Sequence, residues 1–352
     1  MITRLNFIFS SISFLQLYLP IVNYGNKLGI KSVFYIRSNS KLYACPVHNK
    51  KNVKIYKAAL AKYNIVILNI TEITKLKKTI LFVVDGDIYG PQEKNIKKSG
   101  LITNKISPSV KIISLCEHLN FLWIYQKYIK LVNHVVFPNE IYPKYYGFEN
   151  NKNIFLGNTK YDDICEPERV YSKFNIAKDH KYVLFLFPKI KYIKAYTIID
   201  QNILNLYKHI HQLGFKIIVK QRPKDQIFDN CKGDVNIISD TYPNQTLELL
   251  QICDFSIMFS SSALDEAIMM ETSIIDFVVD TEIKKRLEFF HGNNVIVQVT
   301  NWKTIDFDKF KNFIDTIAPK KSAIFKELKE KYLFTHSNTA EKIIHFVNKL
   351  KL

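Results

Sequence analysis

Short apolar runs alternate with amphipathic stretches along most of this chain. Leu5–Phe9, Ile30–Ile36, Thr79–Val84 and Tyr182–Phe187 are rich in β-branched and aromatic residues, a composition typical of buried strands. The stretches between such runs carry apolar residues at helical spacing, as Phe14–Leu28 does. Because parallel strands are usually joined through helices, this alternation predicts an α/β fold built on parallel sheets.

The same plan occurs twice along the chain. Lys27–Arg37 reads KLGIKSVFYIR and Gln212–Arg222 reads QLGFKIIVKQR, and each is a helix end, a Leu-Gly pair, an apolar strand and an arginine. The periodic pattern loosens between the two halves. We therefore predict two domains, 1–165 and 180–335, followed by a C-terminal helix in 336–352 whose crossing back to the first domain stays open.

Composition describes a globular chain with many basic residues. It has 352 residues, 47% of them hydrophobic, and a formal net charge of +18. Nucleic acid, an anionic membrane surface and an anionic small molecule would each suit that charge. There is no recognised nucleic-acid motif, so we expect no nucleic-acid partner and interpret most of the charge as a solvated surface. Peripheral contact with an anionic membrane stays open as a minority interpretation.

The cysteines and the N-terminal residues indicate in which cellular compartment the protein lies. The five cysteines are widely spread and form no C-x-x-C pair, which favours a reducing compartment and argues against a thiolate zinc site. The apolar stretch Leu5–Val22 is interrupted by serines and amides and precedes no small-x-small cleavage site. We therefore expect a cytoplasmic, soluble protein.

The stretch Cys253–Asp276 carries the strongest candidate site. Its apolar run Asp254–Phe259 suits a buried strand, and Ala263–Met270 suits a helix. Three consecutive serines separate them: Ser260, Ser261 and Ser262. Ser262 fits an N-cap with Asp265 three residues later, and a capped helix start after a strand is a ready anion site. The pattern predicts a phosphate-bearing ligand, although an ordinary capped turn without a ligand fits the spacing equally well.

Acidic residues follow two other predicted strands. Asp85–Gly86–Asp87 comes directly after Thr79–Val84, and Glu117 and His118 come shortly after Lys111–Leu115. Open α/β sheets bind ligands outside the carboxyl ends of their strands. These residues are therefore candidates for a site, but a turn in which Asp and Gly only satisfy the backbone geometry explains them as well.

Four segments of this sequence resemble motifs of one enzyme group. Gly157–Asp162 (GNTKYD) is similar to a G-x-P-K-Y-D segment, with threonine in place of proline, and Ile218–Pro223 is similar to a strand that ends in K-x-H-P. Asp254–Ser262 is similar to a strand followed by paired serines, and Asp85–Gly86 lies where an acidic D/E-D-G motif is expected. Taken in this order, they resemble GT-B glycosyltransferases of the CDP-glycerol glycerophosphotransferase-like and CMP-linked sialyltransferase or polysialyltransferase types.

This resemblance implies two Rossmann-like domains facing across a cleft, an N-terminal acceptor domain and a C-terminal nucleotide-donor domain. It implies inverting, metal-independent transfer of a sugar or polyol phosphate from a donor of the CDP, CMP or UDP type. The acceptor would be a hydroxyl of a glycan, a lipid-linked molecule or a polyol. No obligatory metal and no further cofactor is expected.

The resemblance also implies roles for particular residues. The serines of the turn would hold the donor phosphates, and Glu266 would bind the ribose hydroxyls. Arg222 stands where the group has histidine; it could clamp a phosphate but, with a pKa above about 12, could not act as a general acid. Asp85 is the first candidate for the base that deprotonates the acceptor and Asp87 is the second, with Glu117 or His118 as a third option.

Two other functions stay open. A non-hydrolysing UDP-sugar 2-epimerase shares the architecture and the spacing of SSSALDEA, which spans Ser260–Ala267. A degenerate GT-B binding module, which would dock anionic glycans or a partner protein, is kept open by Arg222 in place of histidine.

Overall fold

The computed structural model describes residues 2–9, 14–36, 60–61, 63–84, 106–116, 129–145, 147–188, 200–221, 231–238, 245–261, 263–278, 296–299, 311–312, 321–332 and 338–350. Contacts divide the chain into two compact units. The first contains Met1–Asp163 together with Phe334–Leu352, and the second contains Ile164–Leu333.

Two sheets contain the strands of the described residues. In the first unit these are β1 (Arg4–Phe9), β2 (Lys31–Ile36), β3 (Ile65–Asn69), β4 (Ile80–Val84), β5 (Lys111–Leu115), β6 (His134–Phe137) and β7 (Asn153–Phe155). In the second they are β8 (Lys181–Leu186), β9 (Phe215–Gln221), β10 (Val235–Ile238), β11 (Phe255–Phe259), β12 (Ser273–Phe277) and β13 (Ile296–Val299).

The helices of the described residues are α1 (Leu15–Lys27), α2 (Ile141–Tyr145), α3 (Pro167–Phe174), α4 (Asp200–Gln212), α5 (Gln245–Gln251), α6 (Leu264–Met269), α7 (Lys321–Tyr332) and α8 (Thr339–Lys349). Two short 3₁₀ helices span Ile70–Lys75 and Thr159–Tyr161. Among these helices, none is long and apolar enough to cross a membrane.

The first six strands of each unit have the same order in their sheet, and the first sheet has one further strand. The first runs β3-β2-β1-β4-β5-β6-β7 and the second runs β10-β9-β8-β11-β12-β13, and every strand pair in the described residues is parallel. Counted from the first strand of each unit, both contain the order 3-2-1-4-5-6 of a Rossmann fold. The predicted α/β fold with two Rossmann-like parallel sheets is therefore confirmed.

Apolar cores lie on both faces of the first sheet, which explains why its strands read as continuous apolar runs. Phe7 on β1 stacks with Phe82 on β4 at a ring distance of 5.1 Å, on the face that α1 and α8 cover. Ile8, the next residue of β1, belongs to the core of the opposite face. The alternation follows from the period of two residues along a strand.

In the second unit one core joins β8, β9, β11 and β12 to the apolar side of α4. Phe255 and Phe259 contribute to it from β11, and Ile203 and Ile210 contribute from α4. The short helix α6 contacts α5, α7 and β12. This packing places the loop between β11 and α6 next to the end of β12.

Candidate functional site

The serine turn of the second unit lies at the point where its strand order reverses. β8 and β11 are neighbours in the sheet, and the connections from them run to opposite sides, because β9 follows β8 on one side and β12 follows β11 on the other. Open α/β sheets bind ligands outside the carboxyl ends of the strands at such a point. β11 ends at Phe259, so Ser260 and Ser261 are the first residues beyond this edge.

Ser260 has an unusual backbone conformation. Its φ angle is 45°, in the left-handed region that costs a residue other than glycine about 1–2 kcal/mol. Its N–H donates to the carboxylate Oδ1 of Asp276 at 2.8 Å and to the carbonyl oxygen of Phe277 at 3.1 Å. Both acceptors belong to the end of β12, and Ser260 itself is only 1% exposed. The neighbouring strand therefore fixes the first residue of the turn.

Ser261 is partly exposed and is the next donor group of the turn. Its hydroxyl oxygen accepts the N–H of Ala263 at 3.2 Å, which is a local serine turn. No residue in the described part of the chain accepts the N–H of Ser261. Within the described residues, a hydroxyl proton and a backbone N–H at the switch point therefore have no acceptor and could bind an anionic group.

The helix start differs from the prediction. α6 begins at Leu264, and its N-cap residue is Ala263, which makes no side-chain cap bond. Ser262, the predicted cap, lies outside the described residues. In the described residues the serine bond of this turn comes from Ser261, whose hydroxyl oxygen accepts the N–H of Ala263, so it lies one residue before the predicted cap. Since α6 has only six residues, anion attraction at this turn would come from its hydroxyls and amides rather than from a helix dipole.

Two acids lie close to this turn in the chain or in space. Glu266, in the first turn of α6, is 7% exposed, and its backbone oxygen accepts the N–H of Met270. Asp276 is 4% exposed, and burial raises the pKa of its carboxyl to about 6, although the Ser260 N–H favours the charged form. The sequence argument did not select Asp276. An acid inside the apolar run Ser273–Phe277 was the signal that could have identified it.

Several candidate residues lie outside the described residues: Asp85, Asp87, Glu117, His118, Arg222 and Ser262. Asp85 directly follows β4 in the sequence, and β4 pairs with β1 at the switch point of the first sheet. Arg222 directly follows β9, the neighbour of β8. Their roles stay predictions.

The segment Gly157–Asp162 ties the C-terminal helix to the first unit. The Asp162 carboxylate accepts the N–H groups of Thr339 at 3.1 Å and Ala340 at 2.6 Å, at the start of α8. The Thr159 hydroxyl donates to the carbonyl of Leu17 in α1 at 2.8 Å. In this chain, therefore, the described contacts of the segment hold α8 and α1 together, a function that the resemblance did not indicate.

Within the part of the chain that the structure describes, no group of three or more His, Cys, Asp or Glu side chains is arranged to hold a metal ion.

No protein-family profile and no curated protein sequence matches this chain. Solved structures do match over nearly its whole length. The wall teichoic acid polymerase TagF, soaked with CDP-glycerol, has a TM-score of 0.62 at 10% identity and covers 99% of this chain and 88% of its own. The spinosyn rhamnosyltransferase SpnG, complexed with thymidine diphosphate, has a TM-score of 0.54 at 10% identity and covers 99% and 100%.

This chain has the GT-B fold. The GT-B likeness predicted from its motifs is therefore confirmed at the level of the fold. UDP-GlcNAc 2-epimerase from Methanocaldococcus jannaschii shares the GT-B architecture, with a TM-score of 0.59 at 15% identity and coverage of 99% of both chains. The GT-B structures that resemble this chain thus include both transferases and epimerases, and several hold a nucleotide.

Proposed function

We propose that this protein is an enzyme that binds a nucleotide-linked donor and transfers its sugar or polyol phosphate to a hydroxyl acceptor. The observation that carries the proposal is the serine turn at the switch point of the second sheet, where Ser261 offers an N–H and a hydroxyl at the carboxyl ends of parallel strands. The nucleotides in similar GT-B structures support the same ligand class.

In this proposal, the donor phosphates bind the turn formed by Ser260, Ser261 and Ser262. Glu266 binds the ribose hydroxyls, since a carboxylate can accept two hydrogen bonds from a diol. Arg222 binds a phosphate oxygen through its guanidinium group, which can form two parallel hydrogen bonds. No metal is required, because this positive charge offsets the negative charge that develops on the leaving nucleotide.

The proposed reaction is a single displacement with inversion. Asp85, or Asp87 in second place, accepts the proton of the acceptor hydroxyl. The acceptor oxygen forms a bond to the transferred group while the bond between that group and the nucleotide phosphate oxygen breaks. The nucleotide leaves with the electron pair of that bond, stabilised by Arg222 and the turn.

The acceptor in this proposal is a glycan, a lipid-linked molecule or a polyol. The formal net charge of +18 would favour an acceptor that is anionic or lies at an anionic membrane surface, where peripheral contact would concentrate the enzyme. A cytoplasmic location, where nucleotide-linked donors are made, is part of the proposal.

Epimerisation of a UDP-sugar is the second candidate. It is favoured by the UDP-GlcNAc 2-epimerase that matches this chain over 99% of both lengths. The two reactions differ in one requirement: transfer consumes an acceptor hydroxyl, whereas epimerisation yields a new nucleotide sugar without any acceptor.

A thermal-shift screen with CDP-, CMP-, UDP-, GDP- and ADP-linked donors tests the proposal. A ligand that binds only the folded protein raises its melting temperature, so at least one nucleotide class should do so at concentrations well above typical KM values. The positive donor, radiolabelled in the transferred group, is then incubated with and without candidate acceptors. Label in the acceptor supports transfer, and a new labelled nucleotide sugar without acceptor supports epimerisation. No shift with any donor would contradict both and leave the binding-module alternative.

A further inference from the structure

Asp276 is a charged residue in a strand that is otherwise apolar or small. All five residues of β12 are buried, and Asp276 pairs in register with Met258 of β11. Burying a carboxylate costs free energy unless hydrogen bonds compensate it, and the pKa raised to about 6 shows that the compensation here is incomplete. A residue that costs stability at this position calls for a functional reason.

The carboxylate makes one contact that reaches the candidate site. Its Oδ1 accepts the N–H of Ser260 at 2.8 Å, one residue beyond the end of β11. Ser260 is the residue of the turn with a left-handed backbone, which serine adopts only when its surroundings require it. A charged acceptor forms a stronger hydrogen bond with a backbone N–H than a neutral one does. The contact therefore stabilises a conformation that the chain would not adopt by itself.

The same contact determines which donors face outward. With the Ser260 N–H occupied by Asp276 and by the carbonyl of Phe277, the first amide beyond the strand without an acceptor in the described residues is that of Ser261. Since the backbone conformation of Ser260 sets the direction of the next peptide group, it also sets the direction of the Ser261 N–H.

We propose that Asp276 is a positioning residue of the nucleotide site: its carboxylate holds Ser260 in the left-handed conformation and so directs the Ser261 N–H and hydroxyl toward a donor phosphate. The inference rests on the proposed function, because it assigns the phosphate to the serine turn. It adds a residue that touches neither substrate nor reacting atoms and acts through Ser260.

A purely structural role makes a different prediction. If Asp276 only supported the fold, nucleotide affinity would follow stability across substitutions at this position. If Asp276 positions the turn, the two quantities separate. Replacing a buried carboxylate by an apolar residue of similar volume is often neutral or stabilising, whereas loss of the carboxylate leaves the Ser260 N–H with the Phe277 carbonyl alone and weakens the hold on the turn.

The test uses Asp276→Leu, which removes the acceptor, and Asp276→Asn, which keeps an oxygen acceptor without charge. Affinity for UDP and CDP is measured by isothermal titration calorimetry, and melting temperature is measured on the same samples. We expect the leucine variant to bind at least about tenfold more weakly than wild type, the equivalent of one lost hydrogen bond to a charged group, without a matching loss of melting temperature. The asparagine variant should lose less affinity.

A rescue variant tests the route of the effect. Glycine adopts a positive φ without strain, so Ser260→Gly introduced into the Asp276→Leu background should restore part of the affinity. The control is Asp254→Leu. Asp254 directly precedes β11, at the end of that strand opposite to Ser260, and accepts the N–H of Tyr182 at 3.0 Å; its replacement should leave nucleotide affinity within about twofold.

The outcomes separate the two proposals. If wild type binds a nucleotide and Asp276→Leu binds equally well, the positioning role is overturned and the proposed function stands. A loss in the asparagine variant as large as that in the leucine variant would also overturn it, because an uncharged oxygen acceptor at this position should keep part of the hydrogen bond to Ser260. If wild type binds none of the nucleotides, both proposals fail together.

A measurement on wild type covers the case in which Asp276→Leu does not fold. With selectively ¹⁵N-serine-labelled protein, the Ser260 amide resonance should move with a midpoint near pH 6, as its acceptor titrates. Adding UDP or CDP should move the Ser261 resonance. A Ser260 resonance that shows no titration anywhere between about pH 3 and 8, or a Ser261 resonance that does not respond to a bound nucleotide, would overturn the inference.

Discussion

The Asp162 carboxylate accepts the N–H of Ala340 at 2.6 Å, although 178 positions separate these residues in the chain. It also accepts the N–H of Thr339, so one side chain satisfies two amides at the start of α8. Helix starts leave such amides without partners inside the helix. The residue before the helix, Asn338, makes no cap bond itself, and an acid from a distant segment takes that role.

Asp162→Ala should therefore lower the free energy of unfolding by about 1–2 kcal/mol, the usual cost of losing a helix cap. The measurement is chemical denaturation followed by circular dichroism. Asp163→Ala is the control, since the Asp163 carboxylate accepts an exposed hydrogen bond from the Asn23 side chain, and its loss should cost about 0.5 kcal/mol or less. Equal effects of the two substitutions would show that the cap does not stabilise α8.

Gly157 allows Thr339, at the start of α8, to lie close to its backbone. Its φ angle is 107°, and a Cβ atom added there would lie 2.5 Å from the hydroxyl oxygen of Thr339. Gly157→Ala should destabilise by about 2 kcal/mol or more, through backbone strain and this contact together. Gly29→Ala, also at positive φ but with nothing within 4 Å, should cost only the strain. Thr339→Ala added to Gly157→Ala should recover part of the loss; no recovery would assign the whole cost to the backbone.

The raised pKa of Asp276 should make the free energy of unfolding depend on pH. Burial raises its pKa to about 6, above its value in the unfolded chain, so the unfolded state releases this proton first as pH rises. The stability that the protonated group contributes is fully present below about pH 4 and is lost by about pH 6, an effect of about 3 kcal/mol. Asparagine does not titrate, so Asp276→Asn should not lose this stability. The free energy of unfolding of the variant minus that of wild type should therefore rise between about pH 4 and 7. A constant difference would contradict the burial of the charge.

The lowered pKa of Asp234 should make the free energy of unfolding change with pH in the opposite direction. Burial alone would raise its pKa, but the Ile217 N–H at 2.7 Å and the ring of His211 at 2.8 Å hold that pKa below its ordinary value. The stability that it contributes is present above the pKa of the unfolded carboxyl and is lost as pH falls through the lower, folded pKa. Asp234→Asn should cost about 1 kcal/mol at neutral pH and less in acid, measured by denaturation at several pH values.

Ser261→Ala and Arg222→Ala test the site directly. If the serine hydroxyl and the guanidinium group bind the donor phosphates, each substitution should abolish most of the thermal shift caused by the positive nucleotide. Ser172→Ala is a suitable control, because the exposed Ser172 hydroxyl on α3 donates to the nearby backbone oxygen of Arg169. Unchanged nucleotide shifts in both site variants would mean that the phosphates bind elsewhere.

Local patterns were enough to predict the class of the fold. Parallel strands buried on both faces produce continuous apolar runs such as Ile80–Val84, and the helices between them produce a period of 3.6 residues. Both signals depend only on residues a few positions apart in the sequence, so they can be read without knowledge of distant contacts. The serine turn was found for the same reason, since strand, turn and helix are consecutive.

The predicted start of α6 was wrong by one residue, because the helix begins at Leu264 with Ala263 as its N-cap residue. The chain leaves β11 through Ser260, whose φ angle is 45°. The Ser260 N–H donates to the Asp276 carboxylate, sixteen positions further along the chain. No spacing rule contains this information.

The sequence by itself determined that the chain forms two sets of parallel strands with helices between them, and where one phosphate-binding turn could lie, because these features follow from short-range periodicity and from turn chemistry. Only the tertiary structure decided that the Asp276 carboxylate accepts the Ser260 N–H and that the Asp162 carboxylate caps α8. Both contacts join segments that are far apart in the chain, and their free energy arises from burying a carboxylate beside a particular backbone amide, which only the folded arrangement of the strands and helices brings together.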